Sequence, residues 1–393
     1  MTNPNGSNRT LRIAVIANTS WYLYNFRRNL MHALLDDGHH VVAVGGDGAF
    51  AQRLREQGYE HRTVPFSGAG TRPWRELATV LALRRVLREE RIGLVLSYTP
   101  KGNLYAALAG RGLPVAQVMN VSGLGRASTS PGIASRVVDL LYRHTVAQAA
   151  WVFFQNEEDR RQFIERGYVP PERTSRLPGS GVDLGAFAPA PLPSLEVGSG
   201  VFLMIARLLW DKGVGEYVEA ARALRLHWPQ ARFQLLGPLD ASPRSGVPRA
   251  TLDAWVAEGV IEYLGQTDDI RPHLRAADCV VLPSTYREGV PRSLLEAAAS
   301  MRPVITTDSV GCRDAVDPGV SGLFCRPKDA ADLAQQMNRF LSMTPAQREA
   351  MGAAGRQKME REFDERIVID AYRLRIGTIA DRTTAFDEFT EKP

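Results

Sequence analysis

Cysteine is scarce in this 393-residue chain: Cys279, Cys312 and Cys325 stand far apart and form no CxxC pair. That spacing excludes a zinc ribbon and a disulfide framework, and a reducing compartment is the simplest reading. None of the seven histidines forms an HxH or HxxxH pair, and no DxD carboxylate pair occupies a suitable loop. Zinc and two-metal chemistry are therefore not expected. Long apolar runs are missing as well. No uninterrupted apolar stretch reaches about 18 residues, so no segment is expected to cross a bilayer. The run 11–17 is cut short by Asn18 and does not make a signal peptide. A lipid substrate would have to be reached from the membrane surface.

What is present is ordinary for a folded chain, with 44% hydrophobic and 23% charged residues. The length suits two compact domains better than one. The net charge of +5 is unevenly spread: residues 1–190 carry 23 Lys+Arg and 15 Asp+Glu, and the remainder carries 25 and 28. A basic first half suits anionic headgroups, phosphorylated substrates or nucleic acid. An arginine-rich solvated surface reads the same way.

Short apolar runs alternate with helical patterns throughout, as in parallel α/β architecture. The first half offers strands at 11–17, 40–46, 62–66, 92–98, 114–120 and 149–155, nearly continuously apolar as strands covered on both faces must be. Helices are expected at 26–37, 74–91 and 134–149. The polar residues 1–10 are expected to be disordered, and 11–185 to form the first domain. A Gly/Pro/Ser-rich stretch, 177–200, follows, and its part 186–200 reads as the linker. Alternation then restarts over 201–364, with strands at 201–207, 232–237, 260–265, 278–284, 303–307 and 322–325 and helices at 214–227 and 292–301. A last helix, about 365–380, is expected to return to the first domain. Two doubly wound domains facing across a cleft result, with ligands beyond the carboxyl ends of the strands.

One loop stands out. After the strand 278–284 the chain reads Glu288-Gly289-Val290-Pro291-Arg292-Ser293 and enters an Ala/Leu-rich helix. Proline suits a helix start, Gly289 permits close backbone approach, and the amides of Arg292, Ser293 and Leu294 would form an anion site. Glu296 falls on the helix among leucines and alanines, a poor setting for an idle carboxylate. A second loop, Arg207-Leu208-Leu209-Trp210-Asp211-Lys212-Gly213, follows the first strand of the second domain. Alone it reads as a solvated turn. Paired with the helix start, its arginine and lysine make a diphosphate clamp.

These segments resemble the donor half of family 4 glycosyltransferases, retaining enzymes of the GT-B fold, with two Rossmann-like domains. The resemblance covers roughly residues 11–380 and is most specific in 286–299. Within the family the chain is most similar to bacterial enzymes of surface-polysaccharide and undecaprenyl-diphosphate-linked oligosaccharide assembly, including N-acetylgalactosaminyltransferases. The resemblance implies that Glu288, Arg207 and Lys212 serve catalysis, Glu288 contacting the sugar and the two cations the donor diphosphate. It implies that Glu296 accepts from the ribose and that Gly265, Gln266 and Thr267 reach the base. The donor would be a UDP-sugar, with no cofactor and no metal, and the acceptor a polyprenyl-diphosphate-linked saccharide. A cytoplasmic enzyme peripheral on the inner face of the membrane follows, without a nucleic-acid partner.

The acceptor half is less specific. Asn18, Tyr24, Asn25 and Arg27 lie in the first loop, where the aromatics Trp21, Tyr22 and Tyr24 read either as core or as acceptor contacts. Lys101 follows another strand and suits an acceptor diphosphate. Asn120, Ser122 and Gly123 follow the next. Many relatives carry a histidine after one of these two strands, and neither loop here has one. The region 74–91, with Arg72 just ahead of it, combines Arg75, Arg84, Arg85, Arg88 and Arg91 with Trp74, Leu77, Val80, Leu81 and Leu83, a pattern of either a membrane-surface helix or a core helix with a solvated outer face. A sugar-nucleotide epimerase or hydrolase, and a silent binding protein, are the other classes that this scaffold admits.

Overall fold

A computed structural model describes residues 10–66, 73–122, 142–193, 196–240, 245–286 and 289–390. The chain divides into two compact units, Met1–Leu177 with Val368–Pro393, and Pro178–Ile367.

The first unit holds β1 (Arg12–Ile16), β2 (His40–Gly45), β3 (Glu60–Thr63), β4 (Leu94–Ser97), β5 (Ala116–Val121), β6 (Trp151–Phe154) and β7 (Thr174–Arg176). They pair in the order β3-β2-β1-β4-β5-β6-β7, every neighbouring pair parallel. Alternate side chains serve opposite faces: Ile13 and Val15 join one apolar cluster, Ala14 and Ile16 another. The helix Glu365–Thr390 covers the first of these clusters with Val368, Tyr372 and Ile376. Each of these side chains is buried, an environment that contributes ~1.5–3 kcal/mol per large apolar group.

The second unit holds β8 (Gly200–Ile205), β9 (Ala231–Leu236), β10 (Glu262–Tyr263), β11 (Cys279–Leu282), β12 (Val304–Thr307) and β13 (Gly322–Cys325). Their order, β10-β9-β8-β11-β12-β13, is again parallel throughout and repeats the pattern of the first sheet. In both sheets the winding reverses beside the first strand, between β1 and β4 and between β8 and β11. Such a reversal opens a crevice beyond the carboxyl ends of the strands.

Three local features depart from the sequence reading. The first loop, read as holding Asn18, Tyr24, Asn25 and Arg27, is largely helical: Thr19 caps the helix Ser20–Phe26 by accepting from the Tyr22 amide at 3.3 Å. Arg27, at φ −129°, separates it from the helix Arg28–Asp36, so the single helix expected at 26–37 is two. The edge strand β7 is too short and polar to have been read at all.

The third concerns the stretch 186–200, which is no free linker. Its carbonyls are acceptors for arginines of the second unit. Arg302, fully buried, donates to Ala190 and, at 2.8 Å, to Pro191; Arg356 donates to Phe187 at 2.9 Å; Arg348, also fully buried, donates to Ser199 at 2.9 Å. Residues 178–185, expected in the first domain, also belong to the second unit. Val182 bridges to Asp364, its amide donating to the Phe363 carbonyl at 2.8 Å.

Candidate active site

The second unit concentrates the charged loops at the crevice between β8 and β11. Glycine makes their close approach possible. Gly213 adopts φ +81°, and a Cβ there would lie 2.3 Å from the Pro283 carbonyl oxygen. The loop after β8 therefore presses on the loop after β11. One carbonyl joins them: the oxygen of Asp211 accepts from the Thr285 amide at 2.9 Å and the Tyr286 amide at 3.1 Å. From the other side, the Ser284 carbonyl accepts from Thr307 Oγ1 and, at 3.0 Å, from Ser309 Oγ. Three strand ends are thus cross-linked.

Lys212 sits in this junction. It is only 8% exposed, and its Nζ lies 5.3 Å from the centre of the Tyr286 ring. A buried ammonium on an aromatic face is held by the ring quadrupole and is stripped of much of its water, which strengthens its pull on an anion. Arg207 has different neighbours. It is more than half exposed and its Nη1 meets Asp240 Oδ2, in the loop after β9, at 3.2 Å. An exposed pair of this kind is weak and readily exchanged for a phosphate.

The helix Arg292–Ala299 begins one residue later than a proline at its first position would set it, with Pro291 as the cap. Its first turn is tight: the Leu294 amide donates to the Pro291 carbonyl at 3.1 Å. Leu294 is therefore not one of the anion-binding amides expected, and the positive end of the helix rests on Arg292 and Ser293. Arg292 Nε also donates to Glu296 Oε1 at 2.7 Å, one turn along the helix. Burial pushes the Glu296 carboxyl above its ordinary range, and Arg292 partly offsets this. Val290 is buried against Gly179, whose φ is +61° and whose added Cβ would stand 3.2 Å from Val290 Cβ. The segment 179–181 thereby flanks the loop Gly289–Pro291. Glu288 lies outside the described residues. Gly265, at φ +75°, accepts from the Gly237 amide at 2.7 Å, while Gln266 and Thr267 are exposed beyond it.

Comparison with known proteins decides the family. Residues 199–343 match the family of glycosyl transferases group 1, and residues 25–179 match the glycosyl transferase 4-like domain. The chain is a glycosyltransferase of this family. It is 28% identical over 377 residues to the N,N'-diacetylbacillosaminyl-diphospho-undecaprenol alpha-1,3-N-acetylgalactosaminyltransferase of Campylobacter jejuni, covering 92% of this chain and 97% of the relative. It is 27% identical over 249 residues to the UDP-Gal:alpha-D-GlcNAc-diphosphoundecaprenol alpha-1,3-galactosyltransferase of Escherichia coli, 60% of this chain and 63% of that one. In fold it is similar to the HepE protein of Anabaena crystallised with UDP-glucose, with a TM-score of 0.73 at 19% identity over 94% of this chain and all of the other. Two Rossmann-like units in one chain are the GT-B make-up.

In the first unit of this glycosyltransferase, several expected acceptor residues are occupied by the fold itself. Arg27 is fully buried, its guanidinium 4.1 Å from the centre of the Tyr98 ring and hydrogen-bonded to Tyr22 Oη at 2.9 Å. Asn120 is fully buried too. Its Nδ2 donates to Tyr372 Oη at 3.2 Å and its Oδ1 accepts from Gln155 at 3.1 Å. Tyr24 packs on Phe50 and accepts from Gln57, and Asn25 donates back to the Trp21 carbonyl. Lys101 Nζ meets Glu76 at 3.0 Å. Asn18 and Ser122 are half-buried at the ends of β1 and β5, and Gly123 lies outside the described residues. Among the described residues, no three His, Cys, Asp or Glu side chains gather as a metal site would require.

Sequence reasoning overlooked Asp211, Tyr286, Ser284, Thr307 and Ser309. Their work is done by backbone carbonyls, hydroxyls and a ring face, for which residue type carries almost no signal.

Proposed function

We propose that this glycosyltransferase moves a sugar, an N-acetylhexosamine or hexose, from a UDP-sugar to a hydroxyl of a saccharide carried on undecaprenyl diphosphate. Transfer proceeds with retention and without a metal, on the inner face of the cytoplasmic membrane. The observation that carries the donor site is the burial of Lys212 at the crevice between β8 and β11, against Tyr286, in the loop that runs on to the Arg292–Ala299 helix. The relatives named above, two acting on undecaprenyl-linked saccharides and one crystallised with UDP-glucose, support the choice of substrates.

As the glycosidic bond to the diphosphate breaks, negative charge grows on the departing oxygen. Lys212, Arg207 and the helix start stabilise it, and a well-placed donor in such a role contributes about 3 kcal/mol. Glu288 serves the sugar, and Glu296 the ribose. The acceptor hydroxyl attacks from the face that the diphosphate leaves, and the departing phosphate oxygen takes its proton. Retention then needs no side-chain base.

The test is a panel of labelled UDP-sugars against undecaprenyl-diphosphate-linked saccharides, with and without EDTA, the product anomer being read by NMR. A lipid-linked glycoside of unchanged anomeric configuration, formed equally in EDTA, is expected. Free sugar or an epimer as sole product, an inverted anomer, or abolition by EDTA each overturns the corresponding part.

A further inference from the structure

The helix Pro73–Glu89 has two apolar faces, and only one is accounted for by the fold. Thr79, Leu83 and Leu87 are buried, the two leucines in the core of the first unit. Trp74, Leu77 and Leu81, spaced three and four residues apart on the other side, are 68%, 59% and 57% exposed. Among the described residues, these are three of the five most exposed large hydrophobic side chains. A single exposed leucine needs no explanation, but three on one stripe that includes a tryptophan do.

Arginines outnumber carboxylates around the stripe, and the exposed Arg85–Glu89 pair is of the weak kind that a lipid phosphate displaces. Arg75, Arg85 and Arg88 are exposed on the same helix. Its carboxylates are spoken for: Glu76 meets Lys101 at 3.0 Å and also Tyr105, and Glu89 meets Arg85 at 2.7 Å. Just beyond the helix, Glu90 meets Arg62 at 2.6 Å and Arg12 at 2.8 Å. Tryptophan prefers the boundary between headgroups and acyl chains, and arginine reaches lipid phosphates from the same depth.

We propose that this face docks on an anionic lipid bilayer, Trp74, Leu77 and Leu81 entering the headgroup–acyl boundary while Arg85 and Arg88 bind phosphates. A protein partner fits less well, since a stable interface buries about 800 Å² on each side with a substantial apolar centre. Three apolar side chains bordered by arginines match a charged interface that supplies its own hydrocarbon. The proposal deepens the lipid-linked acceptor reading and rests on it.

The experiment is sedimentation of the full chain with vesicles of phosphatidylcholine alone or with phosphatidylglycerol, at low and high salt and without acceptor. Wild type, the triple variant Trp74→Ser/Leu77→Ser/Leu81→Ser and the pair Arg85→Gln/Arg88→Gln are compared after thermal melts establish equal folding. Wild type is expected to bind anionic vesicles in a salt-sensitive way. The triple variant should lose at least about tenfold in partitioning, as expected for removing three inserting side chains. The arginine variant should lose the preference for phosphatidylglycerol. Transfer to a short-chain, water-soluble acceptor should be unchanged in the triple variant and reduced only on acceptor embedded in vesicles. Wild type that ignores vesicles, or a triple variant that binds as wild type does, overturns the docking surface whatever the transfer assay shows. Loss of transfer to both acceptor forms in wild type would instead sink the acceptor reading and leave vesicle binding as measured.

Discussion

Arg292 and Glu296 face each other across one turn of the same helix, Nε to Oε1 at 2.7 Å, with both side chains largely shielded from water. The pair joins the residue that opens the helix to the carboxylate proposed for the ribose. Glu296→Ala is expected to weaken UDP binding about tenfold or more, as the loss of a charge-assisted hydrogen bond does, with a smaller effect on kcat. Titration calorimetry with UDP checks it. Unchanged affinity would remove Glu296 from the donor site.

The raised carboxyl of Glu296 also has a pH consequence. Folded protein binds the proton more tightly than unfolded chain does, so this stabilisation is complete below the ordinary value of 4.5 and fades as the pH climbs through the raised one. In Glu296→Gln that fading disappears. Urea melts across this range should show the variant gaining on wild type as pH rises, and a constant difference would contradict the assignment.

Lys212→Ala should reduce kcat about a hundredfold or more, the usual loss when one preorganised donor is removed from developing charge. Arg207→Ala should cost less, because its guanidinium is exposed and shared with Asp240. Steady-state kinetics on the preferred UDP-sugar measures both. Normal turnover in the two variants would reject the clamp.

His61 is the clearest acid-sensitive group. It is buried, with Nε2 2.8 Å from Ser20 Oγ, and burial together with Arg55 lowers its pKa to about 4. A depressed folded value means that stability is whole above the ordinary 6.5 and drains away as pH falls toward 4. His61→Gln should flatten that decline in chemical denaturation between these pH values.

Gly213→Ala should destabilise the second unit by about 3 kcal/mol or more, combining a left-handed backbone with a Cβ driven onto the Pro283 carbonyl. Urea unfolding reads the loss. A loss below 1 kcal/mol would mean that the two loops separate easily.

Parallel sheets covered on both faces announce themselves as apolar runs, and β1, β8 and β11 were visible for that reason. The largest departures from the expected strands are at β10, only two residues long within the expected 260–265, and at β3, shifted to Glu60–Thr63 and ending ahead of the apolar 64–66. The tie between 186–200 and the second unit could not be read, because it depends on Arg302, Arg348 and Arg356, more than a hundred residues away, reaching plain carbonyls. Composition reports that a segment is rich in proline and glycine; it is silent about what holds it. Likewise, Arg27 looks like a ligand-facing cation until Tyr22 and Tyr98 are seen closing over it. Of the residues proposed for the donor, Arg207, Lys212, Pro291 and Glu296 stand out in the sequence because charge type and helix-start chemistry coincide there at a strand end. The two apolar faces of Pro73–Glu89 needed the burial of Leu83 and Leu87 to be told apart.

The return of Val368, Tyr372 and Ile376 to the first sheet sets an order on biosynthesis. A growing chain emerges N-terminus first, so the sheet around Phe153 leaves the ribosome long before its covering helix exists. All of Pro178–Ile367 must be translated in between. The N-terminal unit is therefore the last to be completed, and the nascent chain carries an uncovered apolar face for that whole interval, a natural point of engagement for chaperones.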